Sequence, residues 1–95
     1  MVVSYCKIYL RANWVQSLKE KRMIIRSLIG KVKNHYNISI CEVENQNLHK
    51  SIVMGFSICG NDAVLINKIV QEVVDYIEES TDAYIENIEM DTINV

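Results

Sequence analysis

The chain has 95 residues and a mass of 11.0 kDa, the size of one domain rather than two. Its composition, 49% hydrophobic and 23% charged, is typical of a globular protein and excludes a disordered or fibrous chain. The formal net charge is only -2, but nine cations stand against three acids up to Lys50 and one cation against nine acids after it, so the halves carry +6 and -8.

Two further features predict the cellular setting. No stretch approaches the roughly 20 apolar residues of a membrane span, and the start, Met1 to Ser4, lacks the features of a signal peptide. We therefore expect a cytoplasmic protein with no membrane partner. The cysteines, Cys6, Cys41 and Cys59, fit neither a closed disulfide framework nor a C-x-x-C box. We expect them to be reduced, buried and free of metal.

The first predicted element is a strand from Val2 to Arg11. Its residues alternate, so that one side carries Ser4, Cys6, Ile8 and Leu10 and the other carries Val3, Tyr5, Lys7, Tyr9 and Arg11. A short loop, residues 12–16, follows. The sequence Ser17-Leu18-Lys19-Glu20 then predicts a capping box, in which the Ser17 hydroxyl accepts from the Glu20 amide and the Glu20 carboxylate reaches back to Ser17.

A helix is predicted from Leu18 to Tyr36. One broad arc is mostly apolar and contains Leu18, Lys21, Ile25, Leu28, Ile29, Val32 and Tyr36, which predicts the face toward the core. On its flank, within about 60° by the same geometry, lie Lys19, Arg22, Arg26 and Lys33. Lys21 and Lys31 add to this basic stripe.

The second half begins with a strand from Ile38 to Val43, a polar turn at residues 44–47 and a strand from Ile52 to Cys59, which together predict a hairpin. Asn61 or Asp62 can cap a second helix that runs to about Glu79. Residues 83–95 predict a last strand with one break of register.

The order of elements is β-α-β-β-α-β over a single domain, residues 1–95. It predicts a ferredoxin-like α+β fold, with a four-stranded antiparallel sheet and both helices on one face. The first and third strands would be central. The other face of the sheet would be uncovered unless a partner covers it, and it would carry Tyr5, Lys7, Tyr9 and Arg11.

Several sequence segments carry a resemblance to a known family. Residues 17–22 read S-L-K-E-K-R and are followed by Arg26-Ser27-Leu28, by residues 37–43 (N-I-S-I-C-E-V) with Gln46 and Leu48, and by Gly60-Asn61-Asp62. In this order the chain resembles the YlxP-like family of small bacterial proteins of unknown function. The resemblance implies a ferredoxin-like fold. It also implies a gene near those of ribosome-binding factor A and initiation factor two, and hence a role at the ribosome or on RNA. The family has no agreed catalytic residues.

The basic stripe is the leading candidate site. Lys19, Lys21, Arg22, Arg26 and Lys33 could neutralise several phosphates, and structured RNA is recognised largely through its phosphates and shape. Trp14 precedes the helix and could act as an anchor by stacking on a base or binding a partner protein. The sequence therefore predicts a protein associated with RNA or the ribosome; solvated helix charge with no ligand is the alternative interpretation.

The open sheet face is the second candidate site. Tyr5 and Tyr9 could stack on bases, but Glu89 and Asp91 on the last strand share this face and could form ion pairs with Lys7 and Arg11. Carboxylates repel RNA, and tyrosine is enriched at protein interfaces. We therefore interpret Tyr5 and Tyr9 as a homo-oligomer interface or as ordinary surface rather than as a base-stacking site. With the interface, the alternative function is a homo-oligomeric protein-interaction module.

Enzyme motifs are missing from the sequence. It has no G-x-S-x-G, P-loop or G-x-G-x-x-G motif and only three glycines. An acylphosphatase-like site would use an Arg and an Asn near a glycine-rich first loop. Arg11, Asn13 and Asn45 are present in this chain, but the first loop contains no glycine. We expect no catalytic residues, no cofactor and no metal.

Overall fold

The strand and helix patterns of the sequence produce the predicted order of elements. A computed structural model describes all residues from Met1 to Val95. The elements are β1 (Val2–Arg11), α1 (Leu18–His35), β2 (Ser39–Glu44), β3 (Ser51–Gly60), α2 (Ala63–Glu79) and β4 (Tyr84–Asn94). This order confirms the ferredoxin-like α+β fold. Neither helix combines the length and the apolar character that crossing a membrane requires.

The four strands form one antiparallel sheet in the order β2-β3-β1-β4, so β1 and β3 are central as predicted. Both outer strands carry a bulge. In β4 the pairing with β1 skips Glu86, which is the predicted break of register, and in β2 the pairing with β3 skips Val43.

The core lies between the helices and the covered face of the sheet. The inward side of β1 supplies Ile8 and Leu10, α1 supplies Leu28 and Val32, and α2 supplies Val73, all almost completely buried. Each of these side chains contributes about 1.5–3 kcal/mol on leaving water. The opposite face of the sheet carries no helix.

Side chains near each helix start satisfy backbone amides. The Ser17 hydroxyl accepts from Glu20 N at 3.1 Å, as predicted, but the Glu20 carboxylate accepts from Gln16 N at 3.0 Å rather than from Ser17. Asp62 caps α2, because its Oδ1 accepts from Val64 N and Leu65 N. Helix α1 ends at His35, one residue before the predicted end.

The cysteines differ from one another in exposure. Cys6 on the covered face is buried, and burial raises the pKa of its thiol to about 11. Cys41 and Cys59 are exposed because they lie on β2 and β3 toward the open face. The prediction that all three are buried is therefore wrong for these two.

Candidate nucleic-acid interface

One flank of α1 carries a row of cations without partners. We call Lys19, Arg22, Arg26 and Lys33 the basic flank. All four are exposed, and none takes part in any of the four ion pairs of the molecule. At 1.5 Å per residue the row extends about 21 Å along the helix. All four residues of the predicted stripe thus face solvent on one side of the helix, while their role in binding stays a prediction.

The sequence of α1 explains why these cations point to solvent. The buried arc of the helix is formed by Lys21, Ile25, Leu28 and Val32. At about 100° per residue the basic flank lies to one side of that arc. The other side faces the end of α2, since Lys31 Nζ donates to the Ser80 carbonyl at 3.4 Å. Lys31 therefore belongs to the boundary between the helices and not to the basic flank.

Lys21 is the main correction to the predicted site. Its side chain is 1% exposed, so it cannot reach a phosphate in solution. Its Nζ lies 2.7 Å from Glu42 Oε2 and donates to the carbonyls of Asn45 at 2.7 Å and Leu48 at 2.6 Å. An ammonium has three protons, and three acceptors surround this one.

The contacts of Lys21 give it a structural role. They join the first turn of α1 to β2 and to the β2–β3 loop, where Asn45 adopts a left-handed conformation with φ 58. A buried cation is tolerated only when it is paired and hydrogen-bonded. The sequence contained this signal, because Lys21 falls on the apolar arc of the helix and Glu42 on the same side of β2 as buried Ile40.

Trp14 lies apart from the basic flank. It lines an open cavity between α1 and the end of α2, together with Met23, Ile24, Ser27 and Asp82. Its side chain is 45% exposed. The cavity that Trp14 lines contains none of the four cations; the aromatic rings nearest to the basic flank are those of His35 and Tyr36, which line an open cavity with Lys33 at the end of α1.

The cations of the open sheet face are paired. Lys7 Nζ forms an ion pair with Glu44 and lies 3.5 Å from Glu89 Oε2, and the hydrogen bond to Glu44 is the first cause of the raised pKa of Lys7. Arg11 Nε donates to Glu86 Oε1 at 3.1 Å. The pairing predicted for Glu89 is confirmed; Glu86 replaces Asp91 as the partner of Arg11, because the bulge brings Glu86 to that position.

The tyrosines of the open face stand among these pairs. The Tyr9 hydroxyl donates to Glu89 Oε2 at 3.2 Å. Tyr5 is 44% exposed and borders a shallow depression of about 250 Å³ above Gly55. Val43 fills the space over this glycine, since a Cβ there would lie 2.7 Å from Val43 Cγ1. The face therefore offers two exposed rings, Tyr5 and Tyr84, and an apolar depression, but no free cation beside them.

These observations separate two surfaces by their chemistry. The basic flank presents four charged donors with no carboxylate paired to them, which suits phosphate oxygens. The open face presents carboxylates around its tyrosines, which suits protein contacts better than nucleic acid.

Comparisons with known proteins agree with the fold and leave the activity open. The model of DUF503, a family described as proteins of unknown function, matches residues 3–90. The chain is 31% identical over 62 residues to the uncharacterized protein YlxP of Bacillus subtilis (strain 168), which covers 65% of this chain and 67% of that one. The designed protein Foldit4 has a similar structure, with a TM-score of 0.55 and 16% identity over 99% of this chain and 97% of that one.

Proposed function

From the premise that the chain belongs to the DUF503 family of proteins of unknown function, we propose that it is a non-catalytic RNA-binding protein of the cytoplasm. It docks on structured RNA through the basic flank of α1. One observation carries this proposal: four exposed cations line one side of a helix, and none of them is neutralised within the protein.

The binding mechanism is electrostatic. Each cation that approaches a phosphate releases condensed counterions, and this release favours binding to any RNA of suitable shape. The acidic outer face of α2, with Glu72, Asp75 and Glu79, repels the polyanion and so fixes which side of the protein meets it.

Ribosomal RNA is the partner we propose. It is the most abundant structured RNA of a cell, and the family resemblance implies a gene among those of translation factors. The role in ribosome assembly or translation belongs to this proposal. Cosedimentation of the tagged protein with ribosomal subunits from its own lysate tests this proposal. The tagged protein is expected in the fractions that contain the subunits. Its presence only in the fraction of free protein would contradict the proposal.

The salt dependence of RNA binding is the direct test of the mechanism. Four phosphate contacts give an affinity that falls about 50- to 150-fold between 50 and 200 mM salt, the lower value for single strands and the higher for duplexes. Fluorescence anisotropy with a labelled RNA hairpin measures this change. An affinity that does not depend on salt contradicts electrostatic docking.

Charge reversal identifies the residues. The double variant Arg22→Glu with Arg26→Glu is expected to abolish most of the binding, because it converts two attractive contacts into repulsive ones. Arg22→Glu alone has a matched control in Lys68→Glu, which makes the same change of charge on α2. Equal losses in these two single variants would show that only net charge matters and would reject the basic flank.

A second candidate function rests on the open sheet face. Tyr5 and the depression above Gly55 offer apolar contact area, and Lys7 and Arg11 are already neutralised, so this face suits a homo-oligomeric interaction module. Light scattering on the Tyr5→Asp and Tyr9→Asp variants tests this function. Loss of an oligomer supports it, and a monomeric mass for the unaltered protein rejects it.

A further inference from the structure

A basic cleft lies at one end of the molecule, away from the basic flank, and meets the open sheet face only at Arg11. It is formed by the last residue of β1, the β2–β3 loop and the first residue of β3, and its volume is about 650 Å³. The lining residues are Arg11, Asn45, Asn47, Leu48, His49, Lys50 and Ser51. None is acidic, and only Leu48 is apolar. We call this site the basic cleft.

Donors in the basic cleft outnumber the acceptors that the protein supplies. Arg11 uses its Nε to bind Glu86, and its two Nη groups make no hydrogen bond. Lys50 is exposed and takes part in no ion pair, and the side chains of Asn47 and His49 make no hydrogen bond. The cleft thus holds the two free Nη groups of a guanidinium, an unpaired ammonium and an amide that makes no hydrogen bond, a set of donors that matches an anion with several oxygens.

The backbone around the cleft is held in place before any ligand arrives. Lys21 donates to the Asn45 and Leu48 carbonyls from below, and Ala12 N donates to Lys50 O at 2.8 Å. Within the loop, Leu48 N donates to Asn45 O at 3.0 Å, and Asn45 Nδ2 donates to Ser51 Oγ at 3.0 Å. A preformed loop lowers the entropy that binding must overcome.

We propose that the basic cleft binds a terminal phosphate that carries a nucleoside. A monoester phosphate has nearly two negative charges and several acceptor oxygens; Lys50 supplies an unpaired positive charge, and Arg11, whose charge is shared with Glu86, supplies its two free Nη groups as donors. The volume falls within the roughly 300–1,000 Å³ of ligand sites and leaves room for the nucleoside beside the phosphate. The source of this phosphate is either a free nucleotide or the 5′ end of an RNA.

The test is an NMR titration of the full chain labelled with nitrogen-15. Adenosine 5′-monophosphate is the first probe, and adenosine is its control without phosphate. The expected result is a saturable shift of the amide signals of residues 45–51 with the nucleotide and none with adenosine. Two RNA oligomers of one sequence, with and without a 5′-phosphate, form the second arm. A preference of about 10-fold or more for the phosphorylated oligomer assigns the site to RNA ends, and a response to the nucleotide alone assigns it to free nucleotides.

Variants separate the basic cleft from the rest of the protein. Lys50→Ala removes a side chain without partners, so folding is preserved, and it should weaken nucleotide binding at least 10-fold. Arg11→Ala should do the same but also breaks the pair with Glu86. Lys31→Ala is the control, because it removes a cation outside the cleft and should leave nucleotide binding unchanged.

The double variant Arg22→Glu with Arg26→Glu should leave the nucleotide response intact, so this proposal and RNA docking can fail separately. No shift with the nucleotide and no preference between the RNA oligomers would overturn the proposal, and so would unchanged binding in Lys50→Ala.

Discussion

The basic flank of α1 and the open face of the sheet carry the same kinds of cation in opposite electrostatic states. On the sheet, Lys7 and Arg11 each contact a carboxylate from an outer strand. On the helix, residues such as Arg22 and Arg26 contact none. A count of cations would rank the two surfaces by number alone. The partners of these cations separate the two surfaces, because a cation paired with a carboxylate attracts a phosphate less strongly than an unpaired cation does.

Lys21 represents a third state, a cation enclosed by acceptors, and replacing it should have the largest effect on stability. Lys21→Met leaves the Glu42 carboxylate and two loop carbonyls without their partner, and removing one member of a buried pair costs about 3–5 kcal/mol. Urea denaturation measures the change. The control, Lys19→Met in the same helix, should stay within about 0.5 kcal/mol. Equal losses of stability in Lys21→Met and Lys19→Met would contradict the structural role assigned to Lys21.

The next prediction concerns RNA affinity and compares a variant of the basic flank with a variant of the open sheet face. Arg22→Ala should weaken binding about 10-fold at 50 mM salt and lower the slope of the salt dependence by about 1, since it removes one phosphate contact. Lys7→Ala on the sheet should change neither quantity, because its charge is neutralised by Glu44 and Glu89. If Lys7→Ala weakens binding as much as Arg22→Ala does, the distinction between paired and free cations has no functional meaning.

A substitution without charge can separate helix stability from binding. Gly30 lies exposed in α1, and a Cβ added there meets no atom within 4 Å. Gly30→Ala should therefore stabilise the protein by about 0.5–1 kcal/mol through helix propensity and leave RNA affinity unchanged. Thermal denaturation and anisotropy measure the two properties. A gain in affinity would indicate that the rigidity of α1, and not only its charge, contributes to docking.

The smallest effect is expected for the ion pairs of the sheet. Lys7→Met should lower the free energy of unfolding only slightly, because exposed pairs are screened by water and salt. Urea denaturation at low salt and at 1 M salt measures this cost, which should shrink at the higher concentration. If Lys7→Met lowered the free energy of unfolding nearly as much as Lys21→Met does, the open face would be buried in solution, as it would be in a homo-oligomer.

The sequence predicted the elements well because each has a simple periodicity. Alternation in β1 and the apolar arcs of α1 and α2 determined the order, and the caps at Ser17 and Asp62 located the helix starts. The exposure of Cys41 and Cys59 was missed although the alternation could have shown it, since each lies an odd number of positions from a buried residue of its strand, Ile40 or Phe56.

The sites were harder to predict from sequence. Lys21 fits both the basic stripe and the apolar arc, and only the position of Glu42 across the chain decides between them. The basic cleft depends on Arg11 and Lys50, 39 positions apart along the chain. Their proximity follows from the pairing of β1 with β3, which places Ser51, the neighbour of Lys50, beside Arg11.

The bulges at Glu86 and Val43 have a consequence for how crowded copies of the molecule behave. An open sheet ends in two strands whose unpaired backbone groups can template another strand, and a flat, regular edge does so most readily. Each outer strand here is interrupted by its bulge, and β4 also bears the negative side chains of Glu86, Glu89 and Asp91. The bulges and the negative side chains both oppose edge-to-edge polymerisation into fibrils. The uncovered sheet can thus persist at high concentration without becoming an aggregation hazard.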